Sequence, residues 1–173
     1  MKTQSPYRKV MSILNITPDS FFATSRAENE ADIRARVERM IAEGADIIDI
    51  GGYSTRPGAS DVPTDEEVAR VLLGVRVVRE VAPTVPISID TFRSEVAEAV
   101  LSRYDNIIIN DISAGERDGR MAEVVAKWEA PMVVMHSRGT PKTMQSLTHY
   151  EDVVTEVRDY LAQRAEWLRS KGV

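Results

Sequence analysis

The sequence predicts an α/β protein whose parallel sheet is covered by helices, and three observations predict it. Short runs rich in isoleucine and valine alternate five times with stretches of helical period. Most of these runs are apolar almost throughout, as strands of a buried parallel sheet are, whereas a half-exposed antiparallel strand would alternate. Polar residues gather at their carboxyl ends, at Asn15, Asp90, Asn110, Asp111 and His136, the end at which α/β proteins meet ligands.

Taken in order, Val10, Met11, Ile13 and Leu14 read as a short buried strand ending at Asn15, and Pro18 breaks any regular element after it. Ile33, Val37, Met40 and Ile41 share one helical face, with Gly44 placed as a C-cap. Residues 45–52 form a second strand. Thr64, with Glu67 three residues on, reads as a capping box ahead of Val68, Val71, Leu72, Val75 and Val78. Residues 86–91 are a third strand, 94–103 a shorter helix and 106–112 a fourth strand. Met121, Val124, Val125 and Trp128 mark a fourth helix, 130–136 a fifth strand, and Val153, Val154, Val157, Leu161 and Leu168 a long fifth helix. No linker or low-complexity segment interrupts the pattern, so residues 1–173 read as a single domain.

Composition narrows the class. A net charge of −5 lacks the basic stripe that nucleic acid requires. No apolar run approaches the roughly 18 residues of a membrane span, and the amino terminus has no signal-peptide core. There is no cysteine, which excludes disulfides and thiolate metal sites and suits a reducing compartment. The expectation is a soluble cytoplasmic chain with neither nucleic acid nor membrane as partner.

The choice between a barrel and an open sheet turns on the glycine and strand-end patterns. The G-x-G-x-x-G fingerprint of a dinucleotide-binding sheet is absent after the first strand, as is a phosphate loop. Side chains alternate along a strand, so Ser88 and Asp90 share one face while Ile87 and Ile89 share the other. A face that turns polar near its carboxyl end suits the mouth of a (β/α) barrel. A complete barrel of that kind takes about 250 residues; the five units here would leave the first and fifth strands as open edges.

Two loops stand out. In Asn15-Ile16-Thr17-Pro18-Asp19-Ser20-Phe21-Phe22, two aromatic rings follow a strand end; they either tuck back onto the core or face a ligand. In Gly51-Gly52-Tyr53-Ser54-Thr55-Arg56-Pro57-Gly58, paired glycines allow a sharp turn and close approach. There the hydroxyls of Ser54 and Thr55 beside Arg56 form a donor set for phosphate or pyrophosphate, or else a solvated turn. Asp90 can accept paired N–H donors from a heterocycle or cap the next helix, and Asn110-Asp111 poses the same choice. His136 has no second histidine or glutamate at metal-ligand spacing.

Five ordered stretches, NITPDSF, GG-x-STRPG, ISIDT, IIND and MH-x-x-GTP-x-TMQ, each follow a successive strand. Together they closely resemble dihydropteroate synthase of the pterin-binding family, from about residue 8 onward. The resemblance implies a (β/α)8 TIM barrel, here with only about five β/α units. It also implies a transferase that joins 4-aminobenzoate to a hydroxymethyl dihydropterin pyrophosphate ester in folate synthesis, with Mg2+ as cofactor and a possible homodimer in the full-length form. By position it implies that Asn15 meets Mg2+ or pyrophosphate, that Asp90 and Asn110 hold the pterin, and that Met135 walls it. Thr17, Pro18, Asp19, Ser20 and Phe21 resemble the family's mobile first loop, and Thr55, Arg56 and Pro57 its second. Asp90, Asn110 and Arg56 are the implied catalytic set.

Tyr53 stands where the family often has Glu, and Phe22-Ala23-Thr24 replaces a common Ser-Asp-Gly run. The family's sixth to eighth strands, which bring a second pterin-binding Asp, a Lys, an Arg and a His, have no counterpart here, so negligible synthase activity is expected of the isolated chain. Alternative readings are a pterin-binding methyltransferase of the same superfamily, against which both loops argue, and a non-catalytic pterin-binding module.

Overall fold

The computed structural model describes residues 8–16, 26–53, 62–139, 143 and 146–173. Its elements run β1 (Met11–Asn15), α1 (Arg26–Glu43), β2 (Ile47–Gly51), α2 (Thr64–Val81), β3 (Ile87–Asp90), α3 (Ser94–Leu101), β4 (Ile107–Asp111), α4 (Met121–Lys127), β5 (Met132–Val134) and α5 (Val153–Ser170). Every predicted element is present, with strands one to four residues shorter than the apolar runs that predicted them. Gly44 ends α1 with φ 99°, a backbone conformation that a Cβ disfavours.

The strands form one parallel sheet in the order β1-β2-β3-β4-β5. That order never reverses, so right-handed crossovers place α1 to α4 on the same side; a doubly wound sheet would reverse direction and cover both faces. The outward side chains Leu14, Ile48, Ile50, Ile87, Ile89, Ile107 and Ile109 are fully or almost fully buried. They meet Ile33 and Val37 of α1, Val71, Val75 and Val78 of α2, Val96 and Val100 of α3, and Met121 and Val125 of α4. The core therefore lies between the sheet and its helical layer, and the inner face is left for other uses.

Two expectations need correction. The first strand is not buried as a whole: Leu14 is, but Val10, Met11 and Ile13 are exposed, Ile13 by 61%. Among the described residues β1 pairs only with β2, and Met11 and Ile13 lie on the inner face, where no described helix covers them. The capping box at Thr64 and Glu67 does not form. Pro63 is the N-cap of α2, without a side-chain cap hydrogen bond. Glu67 is instead fully buried and bonded to Thr91 and Arg93. A carboxylate turned inward to a guanidinium 26 residues away cannot also reach back to its own helix start.

The fifth helix is present, capped by Asp152, which accepts from the amides of Val154 and Thr155. Its apolar face is little used: only Leu168 is buried, and Val154 is 73% exposed.

Candidate functional site

Register assembles the site. Across the parallel ladder Asn15 pairs with Gly51, Gly51 with Asp90, Asp90 with Asn110, and Asn110 with Val133. Partners in register point to the same face, so these residues form one row at the carboxyl end of the inner face. The row beneath is Ile13, Asp49, Ser88 and Ile108.

Gly51 keeps the upper row open. A Cβ there would lie 3.1 Å from Oδ1 of Asn15 and 3.6 Å from Oδ2 of Asp90. Two oxygens from strands on either side of β2 thus flank the same empty point. One row down, Asp49 is buried, and the amide Nδ2 of Asn110 donates to its Oδ1 at 3.3 Å and Oδ2 at 3.5 Å. Ser88, on the strand between them, is fully buried, and its hydroxyl has no hydrogen-bond partner among the described residues. A small side chain on β3 leaves the space through which β4 reaches β2.

Asp90 is half-buried, and its pKa is raised from 3.8 to about 6, first by desolvation and then by the nearby carboxylates of Asp49, Glu67 and Asp111. It does not cap α3: the amide of Ser94 donates to Oδ2 of Asp118 at 2.7 Å, and the amide of Arg93 to Oγ1 of Thr91 at 3.2 Å. A strand-end carboxylate that has a raised pKa and does not cap the next helix is a candidate binding group.

The other strand-end groups are thereby sorted. Asp111 turns to the helix side, where its carboxylate accepts from the amide and hydroxyl of Ser113, both at 2.7 Å, and from the amide of Gly115 at 2.8 Å; it braces the turn after β4. His136 packs its ring against Tyr160, with centroids 4.9 Å apart, and near Tyr150 at 5.9 Å, a contact with α5 and not with the row. Met135 follows β5, two residues beyond the inward Val133, and is 46% exposed.

Thr17, Pro18, Asp19, Ser20, Phe21, Thr55, Arg56 and Pro57 lie outside the described residues. The ends of their segments are described. The amide of Ile16 continues the ladder to the carbonyl of Gly51 at 2.8 Å, and the carbonyl of Gly52 accepts from Arg70 at 3.0 Å. Sequence reasoning passed over Asp49 as a site residue. Its signal is an aspartate two positions before Gly51 inside an isoleucine run, hence on the same face.

Among the described residues no group of three or more His, Cys, Asp or Glu could hold a metal by itself. Asn15 offers one hard oxygen, the donor type Mg2+ takes when it binds through one or two protein ligands plus phosphate oxygens and water. The donor set fits a metal shared with a phosphorylated ligand.

A singly wound arc of strands with a polar row at its carboxyl end defines a barrel-type ligand-binding enzyme fold. The model of the pterin binding enzyme family matches residues 11–173, and the chain belongs to that family. Within it the chain is a homologue of dihydropteroate synthase. It is 40% identical over 164 residues to the dihydropteroate synthase of Synechocystis, covering 95% of this chain and 56% of that protein. It superposes on the dihydropteroate synthase of Clostridium difficile, solved in the presence of pteroic acid, with a TM-score of 0.83 at 36% identity over 95% of this chain and 60% of the other. The Burkholderia cenocepacia enzyme complexed with 7,8-dihydropteroate gives 0.75 at 44% identity, over 98% and 56%. The chain thus spans somewhat over half the length of these relatives, and its five strands match part of their TIM barrel.

Proposed function

We propose that this chain carries the pterin-binding part of a dihydropteroate synthase site. In that reaction 4-aminobenzoate displaces pyrophosphate from 6-hydroxymethyl-7,8-dihydropterin diphosphate to give 7,8-dihydropteroate. The observation that carries the reading is the row Asn15, Gly51, Asp90 and Asn110 with the bare glycine between its oxygens.

In this reading the ionised Asp90 accepts two N–H groups from the pterin edge, and Asn110, held by Asp49, offers a donor and an acceptor beside it. Met135 provides an apolar wall. The C–O bond from the pterin methylene to pyrophosphate breaks first, and its electron pair leaves with pyrophosphate. The cationic methylene is conjugated to the ring, whose positive charge the Asp90 carboxylate stabilises. The aromatic amine then gives its lone pair to that carbon and releases a proton, so no protein nucleophile is needed.

By family resemblance Arg56 meets the departing pyrophosphate, and Thr17, Pro18, Asp19, Ser20, Phe21, Thr55 and Pro57 contact the pyrophosphate and the aminobenzoate. Mg2+ would be met by Asn15 and would neutralise leaving-group charge. The proposed compartment is the cytoplasm, and the full-length form is proposed to be a homodimer.

Calorimetric titration of the chain with 6-hydroxymethylpterin tests the reading. Saturable binding is expected, weakened by at least about 1.5 kcal/mol in Asp90→Ala. Equal affinity of the two proteins would overturn the assignment of Asp90.

A further inference from the structure

Glu67 has no part in the row, yet its burial needs a reason. It lies in the first turn of α2 with no exposed surface, and a carboxylate removed from water must be paired and hydrogen-bonded. Its Oε1 accepts from the hydroxyl of Thr91 at 2.7 Å. Its Oε2 meets Nη1 of Arg93 at 2.6 Å. The same nitrogen donates to the carbonyl of Val62 at 2.8 Å.

These partners stand at significant places. Thr91 directly follows Asp90, Val62 lies near the end of the connection from β2 to α2, and Gly52 begins it. Gly52 rests on Glu67 itself: a Cβ there would lie 3.2 Å from its Cγ and 3.1 Å from its carbonyl oxygen. The guanidinium of Arg93 also lies 5.0 Å from the ring centre of Tyr53.

We propose that Glu67 is a positioning residue that ties the strand end bearing Asp90 to Gly52 and Val62, near the two ends of the β2–α2 connection, holding Asp90 and those ends at a fixed separation. The proposal rests on reading Asp90 and that connection as parts of one substrate site. Glutamate suits the task by charge as well as by shape. Glutamine keeps the bond to Thr91 but removes the negative charge that Glu67 sets against Arg93. A ligand gripped at two places is sensitive to their separation, because the second contact forms at an effective concentration set by the linkage.

The test compares wild type with Glu67→Gln, Arg93→Met and the double variant. In unliganded protein, amide exchange at Tyr53, Val62 and Arg93 is expected to accelerate about tenfold or more in each single variant, with Ile48 and Ile109 little changed. The double variant is expected to add little, because the two residues act as one unit. Unchanged exchange, uniform acceleration through the sheet, or full additivity would overturn the tie. In calorimetry Glu67→Gln is expected to weaken the pterin diphosphate ester about tenfold more than it weakens 6-hydroxymethylpterin. Equal loss for the two ligands would overturn the role in separation. If wild type binds neither ligand, the functional reading fails, and the exchange arm still decides the tie.

Discussion

The side-chain amide of Asn110 reaches the carboxylate of Asp49 at 3.3 Å across the strand that lies between them. This contact joins β4 to β2 over the buried Ser88 and fixes which way Asn110 presents its remaining hydrogen-bonding groups. Asp49→Ala should therefore weaken pterin binding without removing any proposed pterin contact. The bond is long, so the expected loss is about 1 kcal/mol, read by calorimetry against the larger loss in Asp90→Ala. The same substitution removes one of the charges that raise the Asp90 pKa, so carboxyl NMR should show Asp90 titrating at lower pH.

Asp90 gives a pH signature of known sign. Its folded pKa, about 6, lies above the ordinary 3.8, so between those values the folded chain binds more protons than the unfolded one. Stability contributed by the protonated group is complete below the unfolded pKa and is lost as pH rises toward 6. Asp90→Asn should thus stabilise the chain above pH 6 by about 1–3 kcal/mol, with the difference vanishing near pH 4. Denaturant melts across that range are the measurement. Pterin affinity should move the opposite way in wild type, rising as Asp90 ionises.

Gly51→Ala tests the open point between Asn15 and Asp90. The added methyl would stand 3.1 Å from the Asn15 oxygen and displace it, whereas an extended strand backbone tolerates alanine. Stability is expected to change by less than about 1 kcal/mol while affinity for the diphosphate ester in Mg2+ falls about tenfold or more. Unaltered affinity would show that the space serves no ligand.

Asp111 supplies the contrast. Its carboxylate takes three donors from the turn after β4, all buried. Asp111→Ala should destabilise the chain by about 2–4 kcal/mol, and the folded fraction should keep wild-type pterin affinity. A selective loss of affinity at unchanged stability would move Asp111 into the site.

Turnover of the 173-residue chain by itself should be negligible. On the inner face Ile13, Val133 and Met135 are 61%, 42% and 46% exposed, so water reaches the row from both flanks. A cationic intermediate needs water kept out. A direct assay of dihydropteroate formation decides it, and turnover in the ordinary enzymatic range of about 1–1000 per second would refute the prediction.

Much of this was legible because it is local. Apolar period places each strand and helix, and the alternation in Ile87-Ser88-Ile89-Asp90 puts Ser88 and Asp90 on one face. Five ordered stretches identify the family. Legibility failed where no local pattern exists. Ile107, Ile108 and Ile109 are apolar without alternation, so nothing in the run says whether Asn110 or Asp111 turns inward. Thr64 and Glu67 have the spacing of a capping box, and only the approach of Arg93 from β3's far end draws the glutamate elsewhere.

The sequence by itself determined the order of elements, the parallel sheet, the family and the strand ends that matter, since these follow from periodicity and short-range chemistry. Tertiary structure alone decided the facing of each strand end, the Asn110–Asp49 contact and the burial of Glu67. Each of these depends on register and on partners brought together across 26 to 61 residues, distances over which the chain's own period carries no information.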